Sequence, residues 1–277
     1  MSKNARSIQT VHWPILKVIR RNTHLLKVRP ALNLFFLKYM RKFRVQKVGD
    51  NIILHSHLPP LNSRAYSKFV SEQLVGKGAG PTHAQVGLTN ACPQQCSYCY
   101  NRDREGLPMD TATILAVVRD LKRLGVCWMG WTGGEPLLNK DIVRITEEAS
   151  DTCAIKLFTT GTTLTPGLAR DLKKAGLFSV SVSLDHWRED VHDRNRGLEG
   201  AFMTALRAVD IFRNVEGLHV GVSAVLSRDM IRKGQTEEFL DFLERLGVHE
   251  AWLSEVKPSV QDFWNDSHVI SEEEGRY

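Results

Sequence analysis

From residue 82 onward, short apolar runs alternate with amphipathic stretches of helical period, and that alternation leaves few ways to fold. Runs at 84–89, 126–131, 154–159, 178–184, 218–226 and 250–254 have the length of strands. Stretches at 110–124, 139–150, 166–175, 200–214 and 235–246 have the pattern of helices, with Asn139 as a start signal and Gly125, Gly176 and Gly247 as stops. Strand–helix alternation predicts parallel strands joined by right-handed crossovers. Six strands are too few for a closed eightfold barrel, so the expected fold is α/β, a partial (β/α)6 barrel.

The cysteines carry the chemistry. Three of the five fall within eight residues, in Leu88-Thr-Asn-Ala-Cys92-Pro-Gln-Gln-Cys96-Ser-Tyr-Cys99-Tyr-Asn, which follows the first strand of the α/β region. Loops at the C-terminal ends of parallel strands are where such folds build their sites. Three thiolates can hold three irons of a cubane and leave the fourth without a protein ligand. The competing metal is zinc, which needs a fourth ligand; His83 is the nearest upstream residue able to supply one. Cys127 and Cys153, at the starts of two strands, read as small buried hydrophobes. Trp128, Trp131, Trp187 and Trp252 read as packing residues, with Trp187 and Trp252 able to face a substrate cavity.

Other motifs follow in chain order at strand ends: Trp131-Thr-Gly133-Gly134-Glu135-Pro136, then Leu157-Phe-Thr-Thr160-Gly-Thr162, then Val182-Ser183-Leu184-Asp185 and His192-Asp-Arg-Asn-Arg196-Gly197. Glycines at a strand end let the backbone approach a ligand, and a carboxylate there suits a cationic amine.

With these residues the chain resembles the radical S-adenosylmethionine (SAM) family, whose cysteine loop carries an aromatic residue before its third cysteine, as Tyr98 does here. The resemblance runs over roughly residues 82–256, departing at Thr162 from the family's Thr-Asn-Gly-like turn. It implies a [4Fe-4S] cluster on Cys92, Cys96 and Cys99, and SAM bound at its open iron. One electron from that cluster would cleave SAM to methionine and a 5′-deoxyadenosyl radical, which takes hydrogen from a substrate. It further implies Tyr98 at the adenine edge, Gly133, Gly134 and Glu135 at the methionine amine, and Thr160 at the cofactor. Ser183 and Arg196 would meet the ribose or the carboxylate, Arg196 through its planar fork. A reducing donor such as flavodoxin or ferredoxin is implied as partner. The substrate is a peptide, a lipid or a small metabolite; the alternatives are a degenerate or truncated membrane-associated scaffold and a zinc-binding protein.

Charge divides the chain. Residues 1–50 hold twelve Lys/Arg against one acid, Asp50, while the remainder has an acidic excess, so the net charge of +6 belongs to the N-terminal arm. Residues 1–44 interleave these bases with bulky apolar residues, a composition suited to peripheral contact with an anionic membrane or to packing against the barrel. A hairpin is expected at Val45–Val48 and Ile52–His55, turning at Gly49-Asp50-Asn51, and then a helix after Pro59-Pro60 capped by Asn62 or Ser63. Gly76–Pro81 reads as the boundary between this 1–80 appendage of hairpin and helices and an 81–277 core. Five cysteines suggest no disulfide-stapled scaffold, no apolar run near the start is long enough to span a bilayer, and no signal peptide or nucleic-acid-binding pattern is evident. A cytoplasmic setting is expected. Ser271 followed by three glutamates reads as a helix start three residues from the end, which suggests a chain truncated there.

Overall fold

The computed structural model describes residues 9–10, 15–41, 43–76, 78, 80–101, 107–255 and 270–276. A small antiparallel sheet, β1 (Gln9–Thr10), β2 (Gln46–Val48) and β3 (Asn51–Ile53), belongs to the N-terminal part. Six parallel strands follow in sequential order: β4 (His83–Gly87), β5 (Trp128–Thr132), β6 (Ala154–Thr159), β7 (Leu177–Ser183), β8 (His219–Leu226) and β9 (Glu250–Glu255). Each pairs with the next, and β4 and β9 form the two edges, so the sheet is the open, partial barrel expected from the alternation.

Among the helices, α1 (Ile15–Arg21), α2 (Pro30–Met40) and α3 (Arg64–Lys68) precede the sheet. Its crossovers are α4 (Thr111–Arg123), α5 (Ile142–Ser150), α6 (Pro166–Lys174), α7 (Glu189–Arg196) with α8 (Ala201–Arg213), and α9 (Arg228–Arg232) with α10 (Thr236–Leu246). The main core lies between these helices and the strands, from Val86 and Met129 through Ile155, Val180 and Val220 to Phe239. Helix α5 starts later than its pattern suggested, because Pro136–Leu138 forms a separate 3₁₀ turn capped by the Glu135 side chain. Helix α7 was not expected at all. Its eight residues have no apolar face; acids in its first turn and the left-handed Gly197 at its end define it instead.

The hairpin forms as β2 and β3, with Gly49 at φ 59. Ser63, not Asn62, caps α3 by accepting from the Tyr66 amide, while Asn62 accepts from the Ile52 amide. Part of the arm packs within the N-terminal region itself rather than against the outer helices of the barrel. Val18, Val28, Leu25, Leu32 and Phe43 pack into a local core with Ile52, Leu54 and Tyr66. Leu26, Leu34, Phe35, Leu37 and Tyr39 are exposed. Trp13 and residues 256–269 lie outside the described residues. Ser271 does start a helical turn: its amide donates to the Glu274 carboxylate (2.8 Å) and its hydroxyl accepts from the Glu274 amide (3.2 Å).

The appendage reaches under the barrel. Val48, Ile53 and Ala65 share a cluster with Trp128, Ala154 and Phe178. The loop 55–58 inserts between the sheet's edges at the end opposite the cysteines. His83 on β4 bonds the His57 carbonyl (2.6 Å), and the His57 ring packs at a tilt against Trp252 of β9, ring centres 4.0 Å apart. Ser56 lies at the centre of a buried relay: it receives Lys156 Nζ (2.6 Å), its amide and hydroxyl donate to the Glu250 carboxylate, and its carbonyl accepts from Trp128 Nε1.

Candidate functional site

The loop between β4 and α4 is held at its base by the strand beside it. Leu88 donates to the Thr132 carbonyl (2.9 Å), while Gly134 and Glu135 donate to Thr89 and Ala91 (2.7 and 2.8 Å). Gly133, at φ 125, allows this approach: a Cβ there would stand 2.5 Å from the Thr89 oxygen. The glycine pair thus joins two loops, a reason additional to ligand approach. Cys96 is buried and Cys92 and Cys99 are half-buried. Cys99 donates through its amide to the Cys96 carbonyl (3.1 Å), closing a tight turn around Tyr98.

A cavity of about 440 Å³ opens at the C-terminal end of the sheet. Cys92, Cys96, Cys99 and Tyr98 line one side of it; Gly133, Gly134, Glu135, Thr160, Ser183 and Arg196 line the others. All ten residues singled out from the sequence therefore meet at one place, although they come from four strand ends and a helix.

Glu135 differs from the exposed carboxylate expected. It is fully buried and accepts from Leu137 N (3.0 Å), Thr159 Oγ1 (2.6 Å), Thr160 N (2.6 Å) and Thr160 Oγ1 (2.6 Å). Burial pushes its carboxyl up, against the lowering pull of these donors. Its carboxylate ties the end of β6 to the turn after β5. The turn after β6 is tight in its own right: Gly161 sits at φ 87, where a Cβ would meet the Ala208 methyl at 2.4 Å.

Arg196 and Asp185 form a buried ion pair, Nη2 to Oδ1 at 2.7 Å. Asp185 also accepts from Val225 N (3.0 Å) and from the Tyr98 hydroxyl. The Arg196 guanidinium lies 5.7 Å from the Tyr98 ring centre, its Nη1 is 4.0 Å from Cys96 Sγ, and its buried Nε has no partner. Burial pushes the Cys96 thiol up; the Arg196 charge opposes that more strongly than Asp185 reinforces it. His192, on α7 with Arg196, accepts the Asp185 amide at Nδ1 (3.1 Å), and burial pushes its pKa down to about 4. Asp185 takes a part that the sequence does not assign to it. The available signal is its place, an acid just past a strand's C-terminal end.

Three sequence expectations move elsewhere. His83 starts β4 at the far end from the cysteines and is bonded to Thr82 and His57, so it does not complete a zinc set with them. Trp187 packs with His186 and Phe239, and Trp252 packs at a tilt against His57; neither lines the cavity. Cys127 and Cys153 are core residues as expected, their thiols directed at the Thr82 and Val126 carbonyls. Among the described residues no three His, Cys, Asp or Glu side chains are grouped to hold a single ion. The thiolates of a cubane bind separate irons and need no such convergence.

Known proteins resemble this chain in sequence and in fold. The sequence is 28% identical over 192 residues to the mycofactocin maturase of Mycolicibacterium smegmatis, covering 68% of this chain and 48% of that one. It is 31% identical over 157 residues to the PqqA peptide cyclase of Bradyrhizobium diazoefficiens, covering 55% and 41%. The fold matches Streptococcus suis SuiB bound to S-adenosylmethionine with a TM-score of 0.58 at 18% identity, over 67% of this chain and 43% of that one. The chain thus spans about half the length of the curated relatives it matches. The family model described as the radical SAM superfamily matches residues 86–246, most of the parallel sheet and its cysteine loop, and the chain belongs to that superfamily.

Proposed function

We propose that the chain is a radical SAM enzyme holding a [4Fe-4S] cluster on Cys92, Cys96 and Cys99, with SAM in the adjoining cavity. The observation that carries this reading is the meeting of the three cysteines and the four later motifs on one cavity. The donor set fits: three thiols on one loop leave one iron of a cubane open to SAM. When bound and reduced, that pair supplies a 5′-deoxyadenosyl radical able to take hydrogen from an unactivated carbon.

The chain's own residues hold and orient. Tyr98, fixed through its hydroxyl to Asp185, offers its ring as an adenine edge. Gly133 and Gly134 offer backbone beside the methionine amine, and Ser183 a hydroxyl for the ribose. Arg196 Nε is a buried donor still unspent. Glu135 acts through the turn it braces, keeping Thr160 on the cavity wall. Electrons come from a flavodoxin- or ferredoxin-like donor. Relatives named as a peptide cyclase, and SuiB solved with its precursor peptide SuiA, favour a peptide substrate over a small metabolite.

Anaerobically reconstituted chain, reduced and given SAM, is expected to release 5′-deoxyadenosine; cluster-loaded protein that never cleaves SAM would defeat the reading. Glu135→Ala is expected to keep its iron but bind SAM at least tenfold more weakly, read by equilibrium dialysis, because the loss frees both the Thr160 turn and the cavity wall.

A second reading concerns peripheral membrane contact through residues 1–44, favoured by the exposed Leu34, Phe35 and Tyr39 of α2. Exposed Lys27, Arg29, Lys38 and Arg41 flank them with no acid nearby in sequence, a charge complement to an anionic lipid surface. No described helix is long and apolar enough to cross a membrane. The chain should co-sediment with mixed phosphatidylcholine–phosphatidylglycerol vesicles at low salt and release as salt rises. Leu34→Ser with Phe35→Ser should abolish binding; sedimentation unaffected by that change would refute the lipid contact.

A further inference from the structure

We propose that Arg196 acts on the iron–sulfur cluster itself, as a fixed positive charge and hydrogen-bond donor at the Cys96 sulfur that raises the cluster's reduction potential, with Asp185 as its positioning residue. This rests on the cluster reading above and assigns Arg196 a task separate from any contact with SAM.

Arg196 is tied to the cysteine loop through its own backbone. Its carbonyl accepts the Gln95 amide at 2.9 Å, one residue before Cys96. The next residue, Gly197, adopts φ 61, and a Cβ there would stand 2.6 Å from the Gln95 oxygen, so only glycine lets α7 end so close to the loop. The side chain is then aimed by Asp185, whose carboxylate takes Nη2 at 2.7 Å and is itself fixed by the Val225 amide and the Tyr98 hydroxyl. Arg196 is 8% exposed and Asp185 is fully buried. Nη1 is left 4.0 Å from Cys96 Sγ. A guanidinium with one arm on Asp185 and one beside a sulfur no longer presents a free two-armed fork to a carboxylate, the use expected from sequence.

Reduction adds negative charge to the cluster and its thiolates. A buried cation and an N–H directed at a ligand sulfur stabilise the reduced form, and both are recognised determinants of cluster potential. A guanidinium cannot shed its proton to escape the site, so the influence is permanent.

The test uses the full reconstituted chain without SAM. Iron and sulfide are counted first, and the midpoint is then found by EPR-monitored redox titration. Arg196→Met should lower the reduced-to-oxidised ratio at a fixed solution potential at least tenfold, equivalent to about 59 mV for one electron. If that variant holds no iron, Arg196→Gln decides by the same criterion. Asp185→Asn should also shift the midpoint negative, because the guanidinium loses its anchor; loss of the acid's charge alone would move it the other way. A SAM-free midpoint unchanged in the neutral Arg196 variants overturns the inference, whatever happens to SAM affinity. A positive shift in Asp185→Asn overturns the positioning role. Wild-type chain that binds neither iron nor sulfide overturns the cluster reading itself, a failure visible before any potential is measured.

Discussion

Cys96→Ala protein, reconstituted anaerobically, is expected to fall from about four irons and four sulfides per chain to almost none, and to lose both its brown colour and its EPR signal on reduction. The fold should survive the change. The Cys96 thiol makes only long contacts, to Gln94 Oε1 at 3.8 Å and to Arg196, so its removal leaves no close hydrogen bond broken. Cys153→Ala is the matched control. That thiol is also buried but is directed at the Val126 carbonyl inside the α/β core, and its loss should cost some stability while leaving the iron content whole. Equal iron in both variants would remove the loop as the ligand set. Tight zinc without sulfide would restore the single-ion alternative.

The second large effect is expected beneath the barrel. Glu250→Ala should destabilise the chain by about 3 kcal/mol, read from urea midpoints, because it strands a buried cation. Lys156 is fully buried on β6, and its attraction to Glu250 reaches it through Ser56. Burial pushes the Lys156 pKa down to about 8, with Glu250 pulling it back. A base whose folded pKa lies below its unfolded value binds fewer protons folded than unfolded, so stability rises with pH between the two values. Without Glu250 the folded value drops further, and the deficit at pH 7 should shrink as pH approaches 10. Lys156→Met combined with Glu250→Gln should recover much of the loss, since no charge is then stranded. A single variant as stable as wild type would show that water already reaches Lys156.

The barrel was legible because a buried parallel strand advertises itself: Ala154–Thr159 is where the apolar run lies, and the neighbouring strands deviate by only one or two residues. The cavity-lining residues were legible because a parallel sheet brings all C-terminal strand ends to one side, whatever their spacing in sequence. Helix α7 was not, because Glu189–Arg196 has a single apolar residue, Val191, and is stabilised by what His192 and Arg196 bury, a tertiary fact. The direction of the Glu135 carboxylate was equally hidden, since its four donors come from two turns, one of them 24 residues away. Lys156 inside a strand gave no sign of its partners, which lie 100 positions before it and on the last strand.

The loop 55–58 has a consequence in time. Ser56 leaves the ribosome well before its partner Glu250, which follows 194 positions later, on the last of the six strands. The closure beneath the barrel therefore waits for nearly the whole described chain. Contacts of such long sequence separation form late and slowly, because the chain between must be ordered first. Until β9 docks, Ser56 and Lys156 lack the Glu250 carboxylate, and the nascent barrel keeps an uncompensated cation on its underside.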